Sequence, residues 1–137
     1  MIRTIVTIAL PLLLLLAACN NGKKETPPQT DTETATAFIR YLLDNKLDEA
    51  EALVLKDEEN KQFFDVIRQQ YAKRGKAEQD KYHAADIIVN EIGNVTDSVT
   101  IVNYSNSVNR ESKNKVKVVR IDGKWVIDLK YTFSGNL

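Results

Sequence analysis

The fold is decided by residues 115–131, KVKVVRIDGKWVIDLKY, in which two runs of alternating apolar residues flank Asp122-Gly123. Asp-Gly between two such runs is a strong signal for a β-hairpin, because a type I′ turn needs two positive φ angles. The turn also fixes which residues face each other across the hairpin. The predicted pairs are Ile121 with Lys124, Arg120 with Trp125, Val118 with Ile127, Val116 with Leu129, and Lys117 with Asp128.

The two faces of this predicted hairpin differ in polarity. Side chains alternate along a strand, so one face collects the apolar residues and should pack against helices. On the other face, an exposed pair of Lys117 and Asp128 would contribute about 0.2 to 1 kcal/mol. The apolar face comprises Val116, Val118, Trp125, Ile127 and Leu129.

Two further strands are predicted upstream of the hairpin. Tyr82–Ile92 is rich in β-branched residues and ends at Gly93-Asn94, and Ser98–Tyr104 alternates again. Ser105–Asn114 is polar and is interpreted as a loop. The chain therefore predicts an antiparallel sheet of about four strands.

Three helices are predicted before the sheet. Ala35–Asp44 carries an apolar stripe that Thr34 or Thr32 could cap, and Asn45 is a plausible left-handed stop. A second helix begins near Asp48, which has capping-box spacing to Glu51. The third helix begins with the acidic residues Asp57-Glu58-Glu59 and ends with Lys73-Arg74-Gly75. Negative charge at the N-terminus and positive charge at the C-terminus both interact favourably with the helix dipole. Core positions of these helices are Ala35, Phe38, Ile39, Leu42, Ala50, Leu53, Val54, Phe63, Phe64, Ile67 and Tyr71.

Helices followed by antiparallel strands predict an α+β fold, with the N-terminal helices packed on one face of a curved sheet. AFIRYLLDNKLDEAEALV (37–54) resembles the opening of small bacterial lipoproteins with a nuclear-transport-factor-two-like, cystatin-like domain. VKVVRIDGKWVID (116–128) resembles the closing hairpin of that family. The resemblance covers Ala35–Leu129 and implies a cystatin-like roll over residues 35–137.

Residues 1–18 have the anatomy of a signal peptide, with an apolar run that is too short to span a bilayer, which needs about 20 residues. Leu16-Ala17-Ala18-Cys19 resembles the lipobox of bacterial lipoproteins, in which the cysteine receives diacylglycerol and often a third acyl chain such as palmitate. An ordinary secretory peptide is the alternative. However, Cys19 is the only cysteine, so it has no disulfide partner within the chain.

Residues 19–34 are interpreted as a lipidated N-terminus followed by a flexible tether, NNGKKETPPQTDTET, without large apolar residues. Asn20 stands where retention in the inner membrane would favour aspartate, so the resemblance implies the outer membrane. Lys23-Lys24-Glu25 only faintly resembles a surface-export signal. The sequence does not distinguish between the periplasmic face of the outer membrane and the cell surface as the location of the protein.

Composition excludes several classes of function. Nineteen basic and nineteen acidic residues cancel, and no basic block is present, which argues against nucleic-acid binding. The length after the leader leaves room for one domain, stabilised by packing. No phosphate-binding glycine loop, dinucleotide fingerprint or metal-ligand spacing occurs, so no cofactor and no metal are expected.

Few residues suggest a catalytic or ligand-binding role. His83 is the only histidine and has Asp86 three positions on, but on the predicted strand these residues face opposite sides, so no catalytic residue is assigned. Trp125, Tyr104 and Tyr131 are the candidates for ligand binding, and Trp125 could equally be a core residue. Asp97-Ser98-Val99 fits a short O-glycosylation pattern, although a turn is the favoured interpretation.

The leading functional hypothesis is a non-enzymatic outer-membrane lipoprotein that binds an envelope protein or a small ligand. One alternative is an envelope enzyme that uses a cone-shaped pocket, which would need polar groups that converge in that pocket. The other is a chaperone for exported chains. A homodimer through the outer sheet face is a further hypothesis. Lys117, Lys124, Asp128 and Lys130 make that face charged.

Overall fold

The computed structural model describes residues 26–134, which form five helices and one four-stranded antiparallel sheet in the order β1-β2-β3-β4. The predicted α+β class and the number of strands are confirmed. The predicted signal peptide, Cys19 and residues 20–25 of the predicted tether lie outside the described residues. In chain order the elements are α1 (Asp31–Leu43), α2 (Leu47–Ala52), α3 (Glu58–Ala72), α4 (Lys76–His83), β1 (Ile87–Thr96), β2 (Val99–Asn106), β3 (Asn109–Ile121), β4 (Lys124–Asp128) and α5 (Lys130–Phe133).

Four of the five residue pairs predicted for the closing hairpin are formed. Asp122 and Gly123 both have positive φ, 50° and 78°, as a type I′ turn requires. The fifth predicted pair, Val116 with Leu129, is not formed within β4 because that strand ends at Asp128, but both side chains are buried. The predicted Lys117–Asp128 pair is formed, with Lys117 Nζ 3.4 Å from Asp128 Oδ2, and Asp128 is buried.

The core lies between α1 and the sheet, with α2 and α3 closing its side. Val54 forms a parallel bridge with Ile127, where the Leu55 N–H donates to the Ile127 carbonyl at 2.9 Å. This bridge covers the β4 edge of the sheet, and β1 forms the other edge. No helix within residues 26–134 combines the length and the apolar character needed to cross a bilayer.

The first two helices begin earlier than predicted. Thr30, not Thr32 or Thr34, caps α1, because Thr30 and Glu33 form a capping box that satisfies two backbone N–H groups. For α2 the residue at the N-cap is Lys46, so the predicted Asp48 cap is wrong. Asn45 has φ 58°, which confirms it as the left-handed stop of α1.

Three segments after α3 differ from prediction. Gly75 does not end α3 in a left-handed conformation; it is the extended N-cap of α4, a helix that the sequence did not predict and that places Tyr82 outside the sheet. The predicted loop 105–114 lies mostly in the ends of β2 and β3, where Asn106 pairs with Asn109 around a tight turn and the register shifts before Tyr104 pairs with Asn114. The last strand ends at Asp128, and Tyr131 lies in α5.

Candidate functional site

A cavity of about 230 Å³, named here the aromatic cup, opens between α1, α3, α4 and the β2–β3 end of the sheet. Its helical lining contributes apolar and aromatic side chains, and its strand lining contributes one tyrosine and several polar side chains. This combination of a concave apolar surface with a few polar groups is typical of small-molecule sites. The lining residues are Ile39, Leu42, Leu43, Tyr71, Arg74, Tyr82, Tyr104, Asn106, Asn109, Ser112 and Asn114.

Among the described residues that line the cup, Arg74 is the only charged one. The centre of its guanidinium lies 3.8 Å from the ring centroid of Tyr71 and 4.5 Å from that of Tyr82. Its Nε is 3.6 Å from a carboxylate oxygen of Glu78, which offsets the charge. Stacking on two rings holds Arg74 in place and joins the C-terminal end of α3 to α4.

Tyr104 projects from β2 into the lining of the cup. Burial, together with the nearby Tyr71, raises the pKa of the Tyr104 hydroxyl well above its usual value, so the group stays protonated at neutral pH. Burial also raises the pKa of Tyr71, against the opposing effect of Arg74. Tyr104 is half-buried, and its hydroxyl makes no hydrogen bond to any residue in the range 26–134, so it is available to a partner in the cavity.

The polar rim of the cup is built by the β2–β3 turn. The side-chain oxygen of Asn106 accepts hydrogen bonds from the backbone N–H groups of Val108 and Asn109, each at 3.0 Å. This leaves the side-chain NH₂ of Asn106 without a partner in the described part of the chain. Asn114 donates to Ser112 Oγ at 3.0 Å. The rim therefore offers neutral donors and acceptors.

The three predicted ligand-binding residues do not come together. Tyr104 lines the aromatic cup, whereas Trp125 lines grooves at the opposite end of the sheet and Tyr131 lies in α5. Arg74, Tyr82 and the polar rim were not predicted as site residues, because the sequence pattern assigns them to a helix end, a strand and a loop. Tyr71 was predicted as a core residue, because its helical spacing indicated burial but did not indicate that it lines a cavity.

His83 pairs with Asp44 rather than with Asp86. The Nδ1 atom of His83 lies 2.9 Å from Asp44 Oδ1, and Arg40 Nη2 lies 2.8 Å from the same oxygen. Arg40 also donates to the Ala85 carbonyl at 2.8 Å. The prediction that His83 begins a strand is wrong, because it ends α4; its contact with Asp44 fixes α4 to the end of α1 and lies outside the lining of the cup.

Acid–base and metal chemistry have little support at the cup. Among the described residues that line it, none is a carboxylic acid or a histidine. Both tyrosines with a raised pKa are poor bases at neutral pH. Within residues 26–134 no group of three or more His, Cys, Asp or Glu side chains could hold a metal ion. The arrangement suits hydrogen bonding and stacking.

Comparison of the chain with protein-family models, with curated proteins and with solved structures finds no match. The resemblance to cystatin-like lipoproteins therefore stays a prediction that rests on the quoted segments.

Proposed function

We propose that this protein is a non-enzymatic lipoprotein of the bacterial outer membrane whose α+β domain binds a small ligand in the aromatic cup. The observation that carries the binding proposal is the half-buried Tyr104, whose hydroxyl lines a concave cavity and makes no hydrogen bond to another residue of the described chain. A ligand with a hydrogen-bonding group can take the place of water at this hydroxyl.

The chemistry of the lining favours a neutral ligand rich in hydroxyl or amide groups. Tyr71 and Tyr104 offer ring surfaces, and the asparagines and Ser112 offer both donors and acceptors. The only cation, Arg74, is stacked on two rings and has Glu78 nearby. Small glycan fragments of the envelope have this character, and N-acetylglucosamine is the simplest probe.

Replacing Tyr104 by phenylalanine should weaken binding of N-acetylglucosamine about tenfold, because one neutral hydrogen bond contributes about 1 to 1.5 kcal/mol. The measurement is an NMR titration of the chain that begins at Cys19. Tyr131→Phe is the matched control, since Tyr131 lies in α5 outside the cup, and it should bind as the wild type does. Equal affinity in the Tyr104 variant, or wild-type shifts that avoid the cup, would contradict the site.

A carboxylated probe separates neutral recognition from anion recognition at Arg74. N-acetylmuramic acid differs from N-acetylglucosamine by an added lactyl carboxylate. If the cup selects neutral ligands, the carboxylate should give no gain in affinity, since the charge of Arg74 is offset by Glu78 at 3.6 Å. Much tighter binding of the acid would make Arg74 the main determinant of affinity.

The lipid anchor is supported by the apolar leader and by Leu16-Ala17-Ala18-Cys19. Cys19→Ala should abolish incorporation of radiolabelled palmitate and move the protein from the membrane fraction to the soluble fraction, because Cys19 is the only thiol in the chain. Asn20→Ala is the control and should keep the label. A Cys19→Ala protein that still takes up palmitate would refute the anchor. The envelope-protein partner and the homodimer stay predictions.

A further inference from the structure

The two ends of the sheet carry different features. The β1–β2 turn at 97–98 and the β3–β4 turn at 122–123 lie at one end, named here the turn end. The β2–β3 turn at 107–108 and the rim of the aromatic cup lie at the other end. β2 spans the distance between them, and its eight residues at about 3.3 Å each separate the ends by roughly 25 Å.

Helix α1 begins at the turn end, while Thr26, the first described residue, lines a groove with Arg40 and Ile87 along α1. The Thr100 hydroxyl, next to the start of β2, donates a hydrogen bond to the carboxylate of Asp31, the first residue of α1. The C-terminal end of α1 lies near the cup, which Leu42 and Leu43 line. Just before α1, the segment 27–29 lines one groove of about 420 Å³ together with Gly123, Lys124 and Trp125.

The turn end exposes apolar side chains beside cationic ones. Val95 is 63% exposed and Ile121 is 45% exposed. Trp125 is half-buried and lines a groove with Val95 and Asp31, and Arg120 and Lys124 are exposed. Tryptophan, aliphatic residues and basic residues together are typical of surfaces that lie at the membrane interface. Asp97 and Asp122 balance the charge, so the surface should suit a neutral bilayer.

We propose that the turn end rests on the lipid bilayer to which Cys19 is attached, with the aromatic cup facing away from the membrane. This inference rests on the proposed lipidation of Cys19. Cys19 lies seven residues before Thr26, so the connection reaches at most about 25 Å. Such a short link gives an effective concentration in the millimolar range, at which a few apolar side chains suffice to dock the surface. The cup then opens towards soluble ligands in the envelope.

The test supplies the anchor chemically. Residues 19–137 are coupled through the Cys19 thiol to a maleimide-bearing lipid in phosphatidylcholine vesicles, so the result does not depend on lipidation in cells. Trp125 is the only tryptophan, and quenching of its fluorescence by brominated acyl chains reports contact between the turn end and the bilayer. Strong quenching is expected in the wild type, and a Val95→Ser, Ile121→Ser double variant should reduce it at least about twofold.

Val66→Ser is the matched control, because Val66 on α3 is 40% exposed but lies away from the turn end, and it should leave the quenching unchanged. Absence of quenching in the wild type would overturn the proposal, as would equal quenching in the double variant. Quenching that falls as protein density on the vesicle rises would show that a second copy covers the turn end, and would also overturn it. If cellular palmitate labelling fails while vesicle docking succeeds, the anchor is refuted and the lipid-binding surface stands.

Discussion

Replacing Phe64 by alanine is expected to lower the free energy of unfolding by about 3 to 5 kcal/mol, the usual cost of truncating a fully buried phenylalanine. Phe64 has no exposed surface and is the largest fully buried side chain of the described core. It anchors α3 to the core, and the Arg68 guanidinium lies 5.2 Å from its ring centroid. Urea denaturation gives the change, and a midpoint temperature lower by roughly 12 to 20 °C should accompany it.

Phe133→Ala is the control for this prediction, since it makes the same chemical change at a partly exposed position. Phe133 is 37% exposed and stacks on Phe63 at a centroid distance of 4.7 Å. Its loss should cost only about 1 kcal/mol. Similar losses at Phe64 and Phe133 would contradict the view that α3 is held mainly by the buried ring.

The closing hairpin could be predicted from the sequence because its determinants are local. Asp122 and Gly123 supply the two positive φ angles, and the alternation of Val116, Val118 and Ile127 admits one register that buries them together. No distant residue is needed to fix this register. The same holds for Asn45, whose side chain tolerates the left-handed conformation that ends α1.

The segments predicted wrongly lack such local signals. Helix α4 buries none of its residues, so its sequence shows no apolar period, and it is supported by ion pairs such as Lys76 with Asp80. The ends of β2 and β3 are polar, and the sheet pairs Asn106 with Asn109 on β3 and with Ile87 on β1. Pairing across the sheet, rather than a local apolar pattern, sets these strand ends.

The aromatic cup could be predicted only in part. Tyr104 was a candidate by analogy with related folds that use a tyrosine inside the cone formed by sheet and helices, and it does line the cup. Its neighbours Arg74 and Asn109 lie 30 residues before it and five residues after it, on different elements. Only the placement of α4 beside α3, which the sequence did not predict, brings Tyr82 to the same cavity.

A buried polar network joins α3 to the end of β4. The Asn60 side-chain NH₂ donates to Asp57 Oδ2 at 3.0 Å and to Asp128 Oδ1 at 3.3 Å, and its oxygen accepts from the Leu129 N–H at 2.7 Å. Lys130 Nζ lies 2.9 Å from Asp57 Oδ2. Hydrogen bonds from the Asn60 backbone N–H, from Lys130 and from the Asn60 side chain lower the pKa of Asp57 to about 2.

Asn60→Leu should therefore lower the free energy of unfolding by about 3 kcal/mol, because it leaves the buried Leu129 N–H unpaired and removes a donor from the buried Asp128 carboxylate. Gln62→Leu is the matched control on the exposed face of α3 and should change stability by at most about 0.5 kcal/mol. Urea denaturation at neutral pH measures both changes. Equal stability of the two variants would contradict a structural role for the network.

The pH dependence of the same variant gives a second, independent readout. The pKa of Asp57 is lower in the folded state than in the unfolded state, so its contribution to stability is full above about pH 4 and is lost as the pH falls towards 2. Asn60→Leu keeps the backbone donor but removes the side-chain donor, so NMR titration should find the Asp57 pKa above about 2 and below its unfolded value. Stability should then fall less steeply on acidification. An unchanged Asp57 pKa would mean that the backbone N–H and Lys130 alone hold this carboxylate ionised.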